Sequence, residues 1–97
     1  MKYTDKKLEE LPFATMVIEE SVKQIDKWGI QTHTLFEWLT YTTEELGELA
    51  KAISELEYRS SSPSGELREL CKKEIIKEAI QVATLALKIA EMVKEPK

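Results

Sequence analysis

Apolar residues recur along most of this chain at intervals of three and four, the period of one face of an α-helix. Leu11, Ile18, Val22 and Ile25 form the first such stripe. With Pro12 at a tolerated first-turn position and Gly29 just past the last turn, the pattern predicts a helix over about 12–28. A second stripe, Leu35, Leu39, Thr42, Leu46, Leu49, Ile53 and Leu56, keeps a 4-3 spacing over three heptads and is interrupted only by Thr42. It predicts a helix over about 35–58. Thr34, followed three residues later by Glu37, supplies a capping box at its start. The rival pattern Thr42-Thr43-Glu44-Glu45 falls inside the continuous stripe and is rejected as a start.

The third segment, about 66–94 with Ser64 as N-cap, carries two stripes side by side. One is Ile75, Ala79, Val82, Ala86, Ile89 and Val93; the other is Ile76, Ile80, Ala83, Leu87 and Ala90. Two stripes call for neighbours on two sides, which predicts that a second copy of the chain joins the bundle. Residues 4–10 add a short helical turn, 59–65 form a Ser-rich loop, and Pro96 closes the chain. The expected architecture is all-α: one domain over 1–97, an antiparallel bundle of about three helices that dimerises.

Composition narrows this further. Three glycines and three prolines in 97 residues leave little material for strands and turns. A formal charge of −4 argues against a basic face for nucleic acid. There is no apolar run near the ~18–20 residues that span a bilayer and no apolar core in the N-terminal segment, so no membrane partner and a cytoplasmic location are expected. One cysteine, Cys71, and one histidine, His33, exclude an internal disulfide and a Cys/His zinc cluster. Any metal must be held by oxygen.

The oxygens worth attention are carboxylates. Glu45 and Glu48 share a face of the second helix, each one residue before a stripe position. On the third helix Glu74, Glu78 and Gln81 stand in the same relation to Ile75, Ala79 and Val82. If the two helices pack antiparallel, the acidic flanks face each other. Converging carboxylates repel unless a hard cation such as Mg²⁺ or Mn²⁺ lies between them, and Mg²⁺ commonly bridges to phosphates. The alternative is a set of solvated acids, with Lys51 and Lys77 as i+3 partners of Glu48 and Glu74.

These residues carry a resemblance. Glu45-Leu46-Gly47-Glu48 followed by Glu78-Ala79-Ile80-Gln81 is similar to the ExxE…ExxD signature of MazG-like proteins, in the all-α nucleoside triphosphate pyrophosphatase superfamily. Lys27-Trp28-Gly29-Ile30-Gln31-Thr32-His33 resembles a KWGxQxH stretch of a phage-type subgroup, as does Glu78-x-x-Gln81-Val82-Ala83. The likeness spans about 15–93. It implies a dimer with a four-helix core and Mg²⁺-dependent cleavage of a nucleotide between its α and β phosphates. It also implies metal ligands at Glu45, Glu48, Glu78 and Gln81, with Glu45 or Glu48 as the base. Gln81 departs from the acidic fourth ligand: its oxygen coordinates but brings no charge. The 29 residues between Glu48 and Glu78 lie at the long end of the pattern.

Around this centre, Trp28, Gln31, His33 and Lys51 are the expected substrate contacts. Trp28 stacks on a base or packs. His33 bonds a base or phosphate, or caps the following helix. Lys27, Arg59 and Lys77 are further cations for a leaving group, or solvated surface. Trp38 is read as core and Cys71 as a buried thiol. A non-catalytic nucleotide- or metal-binding homodimer of the same fold, and a purely structural helical module, are the competing readings.

Overall fold

The computed structural model describes residues 2–11, 13–59 and 65–94. Pro12, the loop at 60–64 with its Ser64 cap, the Arg59 side chain and Pro96 lie outside the described residues. Among the described residues are a 3₁₀ turn, Leu8–Glu10, and three α-helices with no strand: α1 (Ala14–Trp28), α2 (Leu35–Arg59) and α3 (Gly65–Lys94). None of these helices is long and apolar enough to cross a membrane.

The helix ends follow their local chemistry. At the start of α2 the Glu37 N–H donates to Thr34 Oγ1 (3.1 Å) and the Thr34 N–H donates to Glu37 Oε1 (2.9 Å), a reciprocal capping box. The Thr34 backbone N–H, then the Thr34 hydroxyl, hold the Glu37 carboxyl below its ordinary pKa. α1 ends where Gly29 adopts φ 76° and ψ −179°, and its N–H donates to Ile25 O at 2.7 Å. That backbone region is open essentially to glycine alone.

α3 lies between α1 and α2, which scarcely touch each other. Trp38 of α2 stands by Lys88 of α3, and Glu45 by Gln81, so α2 and α3 run antiparallel. Val17 and Gln24 of α1 meet Thr84 and Lys88 of α3, so α1 and α3 run in the same direction. The buried Thr84 hydroxyl lies 2.7 Å from Ile80 O and 3.5 Å from Val17 O, which ties α3 to α1.

The seam between α2 and α3 is turned by about half a residue from the predicted stripe: alternate positions are kept and those between them move back by one. Among the half-buried and buried positions, α2 has Trp38, Thr42, Glu45, Leu49, Ala52 and Leu56, and α3 has a matching row, Cys71, Ile75, Glu78, Val82, Leu85 and Ile89, beside others that continue round the helix. Both sets keep 4-3 spacing, the pattern of two helices interlocking along their length. Leu35, Leu39, Leu46 and Ile53, expected to face inward, are exposed, Leu46 by 52%. α1 repeats this: it meets α3 through a mixed edge, and Ile18, Val22 and Ile25 stay exposed, Ile18 by 69%. The two stripes of α3 find neighbours inside the chain only in part: Ile75, Ile76, Ile80, Val82 and Ile89 are half-buried, while Ala86, Leu87, Ala90 and Val93 are exposed. Uncovered apolar surface remains on all three helices, on α3 at Leu70, Leu87, Met92 and Val93.

The fully buried apolar residues described are Ala52, Leu56, Cys71 and Leu85, a small core. The radius of gyration is 15.6 Å, against about 13 Å for a compact domain of this length.

Replacing Gly29 by alanine forces an L side chain into the positive-φ turn, at a cost of about 1–3 kcal/mol. Since no atom lies within 4 Å of the added Cβ, the strain is in the backbone alone. Thermal unfolding is expected to shift down by ~4–8 °C for each kcal/mol lost.

Candidate functional site

The shifted seam changes the standing of the acids. Glu45 and Glu78 occupy seam positions and do not merely flank them. Glu78 is 5% exposed and Glu45 half-buried, whereas Glu44, Glu48 and Glu74 are exposed. A carboxylate taken out of water favours its neutral form. Accordingly the Glu78 carboxyl is pushed above its ordinary pKa, first by burial and then by its hydrogen-bonding neighbour Glu45; Glu74 and Lys77 pull the other way.

Gln81 completes the cluster from one turn further along α3. An amide can present either end. With its nitrogen toward the acids, Gln81 donates to Glu45 Oε2 and to Glu78 Oε2, the latter at 3.1 Å. Rotating the amide by half a turn brings Oε1 against the same two carboxylates, an arrangement that needs a cation between them. The donor set of two carboxylates and one amide oxygen fits a hard cation and suits neither zinc nor copper. Among the described residues no three His, Cys, Asp or Glu side chains are gathered closely enough to hold a metal by themselves. Glu48 is three residues from Glu45 on α2, exposed and outside this cluster.

The cluster opens into a groove of about 470 Å³ between the α1–α2 connection, α2 and α3. Trp28, Gln31 and His33, all singled out in the sequence, line it together with Glu45 and Gln81. Lys51 does not; it is exposed on α2. The groove wall is an aromatic cluster. His33 meets Trp38 and Tyr41 edge-on at 5.1 Å each, and Trp38 meets Tyr41 at 6.2 Å. Trp38 is thus packed, as expected, but at the groove and not in a separate core. Trp28 is 56% exposed, with the Lys27 ammonium 4.7 Å from its ring centre.

Sequence reasoning missed Lys88, the cation of this groove. Its ammonium donates to Gln24 Oε1 at 2.9 Å and sits 5.6 Å from the Trp38 ring centre. The signal was present: Lys88 follows Gln81 and Leu85 at spacings of seven and three, on one helix face. Glu44 and Tyr41 also line the groove.

No protein-family model, curated protein or solved structure matches the chain.

Because folding raises the Glu78 pKa, the native state binds more protons than the unfolded chain just above the ordinary glutamate range. Its contribution to stability is therefore full at acidic pH and is lost as pH rises through the raised pKa. Measured with a chelator present, wild-type Tm should rise on acidification from pH 7 toward 5. In Glu78→Gln the Tm at pH 7 should be several degrees higher and that part of the acid-dependent rise should vanish.

Proposed function

We propose that this chain is a Mg²⁺-dependent nucleoside triphosphate pyrophosphohydrolase of the MazG-like kind, releasing pyrophosphate and a nucleoside monophosphate. The observation that supports the reading is the meeting of Glu45, Glu78 and Gln81 at one end of an aromatic groove. Two elements far apart in sequence bring an oxygen cluster next to a space with stacking and hydrogen-bonding walls, as the resemblance implies.

Glu45, Glu78 and the Gln81 oxygen would hold the cation, Gln81 at the motif's fourth position; Glu48, the motif's second acid, would have to turn in from its exposed place on α2. Bound Mg²⁺ supplies charge neutralisation to the triphosphate and Lewis acidity at the phosphoryl group attacked. The residues of the chain do the rest. Trp28 offers a ring to a base. Lys88 brings positive charge into the groove, and Lys27 stands beside Trp28. Glu45 or Glu48 accepts the proton of the water that attacks the α-phosphate, and pyrophosphate leaves.

The exposed faces support a second copy as the partner. Leu35, Leu39, Leu46 and Ile53 line the outer side of α2, and Ile18, Val22 and Ile25 that of α1. Gly47 sits mid-helix, where glycine costs roughly 1 kcal/mol relative to alanine, and beyond its own turn of helix no described residue lies within 4 Å of a Cβ added there. A neighbouring helix lying close against α2 gives that glycine a use. In this reading the protein is a homodimer or a higher homo-oligomer.

Two features favour the alternative, a nucleotide-binding homodimer without turnover: neutral Gln81 stands where the motif has an acid, and Glu48 is exposed outside the cluster.

Pyrophosphate release from a panel of NTPs and dNTPs with Mg²⁺ or Mn²⁺ separates the two. Glu45→Gln and Glu78→Gln should each lower kcat by about 10²-fold or more with the helical content unchanged. Binding without release from any nucleotide, together with activity gained on Gln81→Asp, establishes the alternative.

The assembly has its own test. A surface leucine in a monomer tolerates replacement within about 0.5 kcal/mol. In the proposed assembly Leu46→Glu should instead shift the sedimentation-equilibrium mass from two or more chains to one and lower Tm.

A further inference from the structure

Three glutamines line the groove, and their hydrogen bonds differ in kind. Gln24 is engaged at both ends: its Nε2 donates to Glu20 Oε2 (3.1 Å) and its Oε1 accepts from Lys88 (2.9 Å). Gln81 is turned to the Glu45–Glu78 pair. Gln31 is engaged at its oxygen alone, which lies 3.1 Å from His33 Nε2. Among the described residues nothing accepts from its amide nitrogen, and the residue is exposed at the groove.

The direction of the Gln31–His33 bond follows from which end of the amide faces the imidazole. Nδ1 is 3.8 Å from Glu37 Oε2, an ionic-range contact that, after the Thr34 hydrogen bonds, helps hold the Glu37 carboxyl down, and Nε2 has the shorter contact, 3.1 Å, to Gln31. The Gln31 oxygen is the end that faces Nε2, and that contact requires the proton on Nε2, which then donates to it. His33 is itself held between Trp38 and Tyr41, and those rings are fixed along the start of α2. The amide is thus oriented from behind and leaves one end for a ligand: an N–H₂ group with two donors and no acceptor.

We propose that Gln31 reads the base. Its amide nitrogen donates to an exocyclic oxygen, so the groove prefers a nucleotide with an oxo base, of the 4-oxopyrimidine kind, to its 4-amino counterpart. This rests on the nucleotide reading above. His33 is a positioning residue in this scheme, and Trp28 is the ring left to stack, since Trp38 is packed against His33, Tyr41 and Lys88. A 4-amino group would set donor against donor and leave the amide unpaired.

Deoxyuridine and deoxycytidine monophosphates differ at the edge in question and are products, not substrates, of the proposed cleavage. Both are titrated into the full chain, with chelator present, and followed by quenching of tryptophan fluorescence from Trp28 and Trp38. The wild type should bind dUMP about five- to tenfold more tightly than dCMP, the worth of one neutral hydrogen bond. Gln31→Glu is near-isosteric and offers only acceptors, so the ratio should invert; Gln31→Ala should bring it close to one. Any repulsion of the phosphate by the new carboxylate acts on both ligands and cancels in the ratio. A ratio unmoved by Gln31→Glu, or tighter binding of dCMP by the wild type, overturns the role of Gln31 and leaves the nucleotide reading standing. Binding of neither ligand, with no pyrophosphate released from any nucleotide in the panel, overturns both.

Discussion

Burying the Glu78 carboxyl between α2 and α3 sets an energetic condition that the neighbouring side chains must meet. An ionised acid in that position needs a proton, a donor or a cation, and Glu45 across the seam makes the need greater. Gln81 is the side chain that answers it in two ways, as donor to the pair or, rotated, as a third oxygen. An apolar residue at 78 would make a better seam. A seam with an acid at one of its central positions gives up stability there, and the apolar core beside it is small: Ala52, Leu56, Cys71 and Leu85.

The register of α2 connects this cluster to the groove. Trp38, Thr42 and Glu45 follow one another along the α2 side of the seam, so the packed aromatic wall and the acid are parts of one helix face. The Thr42 hydroxyl bonds back to Trp38 O at 2.8 Å, which lets a polar residue occupy the seam without an orphan group. The capping box at Thr34 and Glu37 fixes where that helix begins, and hence where His33 meets Trp38 and Tyr41. At the far side, Gly29 turns the chain so that Trp28 and Gln31 reach the same groove. Local backbone chemistry thus positions side chains that the long helix alone would not bring together.

The apolar surface left on α1 and α2 has the same origin as the seam. A helix with apolar residues on more than one flank cannot cover them all in a three-helix chain when α3 alone holds the middle. The heptad stripe of α2 is real, but it is broad: Leu49 and Leu56 turn inward while Leu35, Leu39, Leu46 and Ile53 stay outside.

The sequence by itself determined what depends on neighbours in the chain. The three helices, the capping box, the Gly29 stop, the turn near residue 8 and the burial of Cys71 were legible because spacing, caps and glycine conformation act over a few residues. The offset to the apolar stripes marked Glu45, Glu78 and Gln81 as related groups, but it marked Glu48 and Glu74 equally, and these stand exposed. The tertiary structure decided the rest. A stripe read from periodicity does not say which flank meets which partner: Thr42, Leu49 and Leu56 stayed inward, but a turn of about 50°, half the ~100° step between residues, brought Glu45 and Glu78 into the seam and moved Leu46 out of it. Lys88 and Tyr41 entered the groove only because α2 and α3 run antiparallel and α1 runs alongside α3, relations between distant segments that no local spacing encodes.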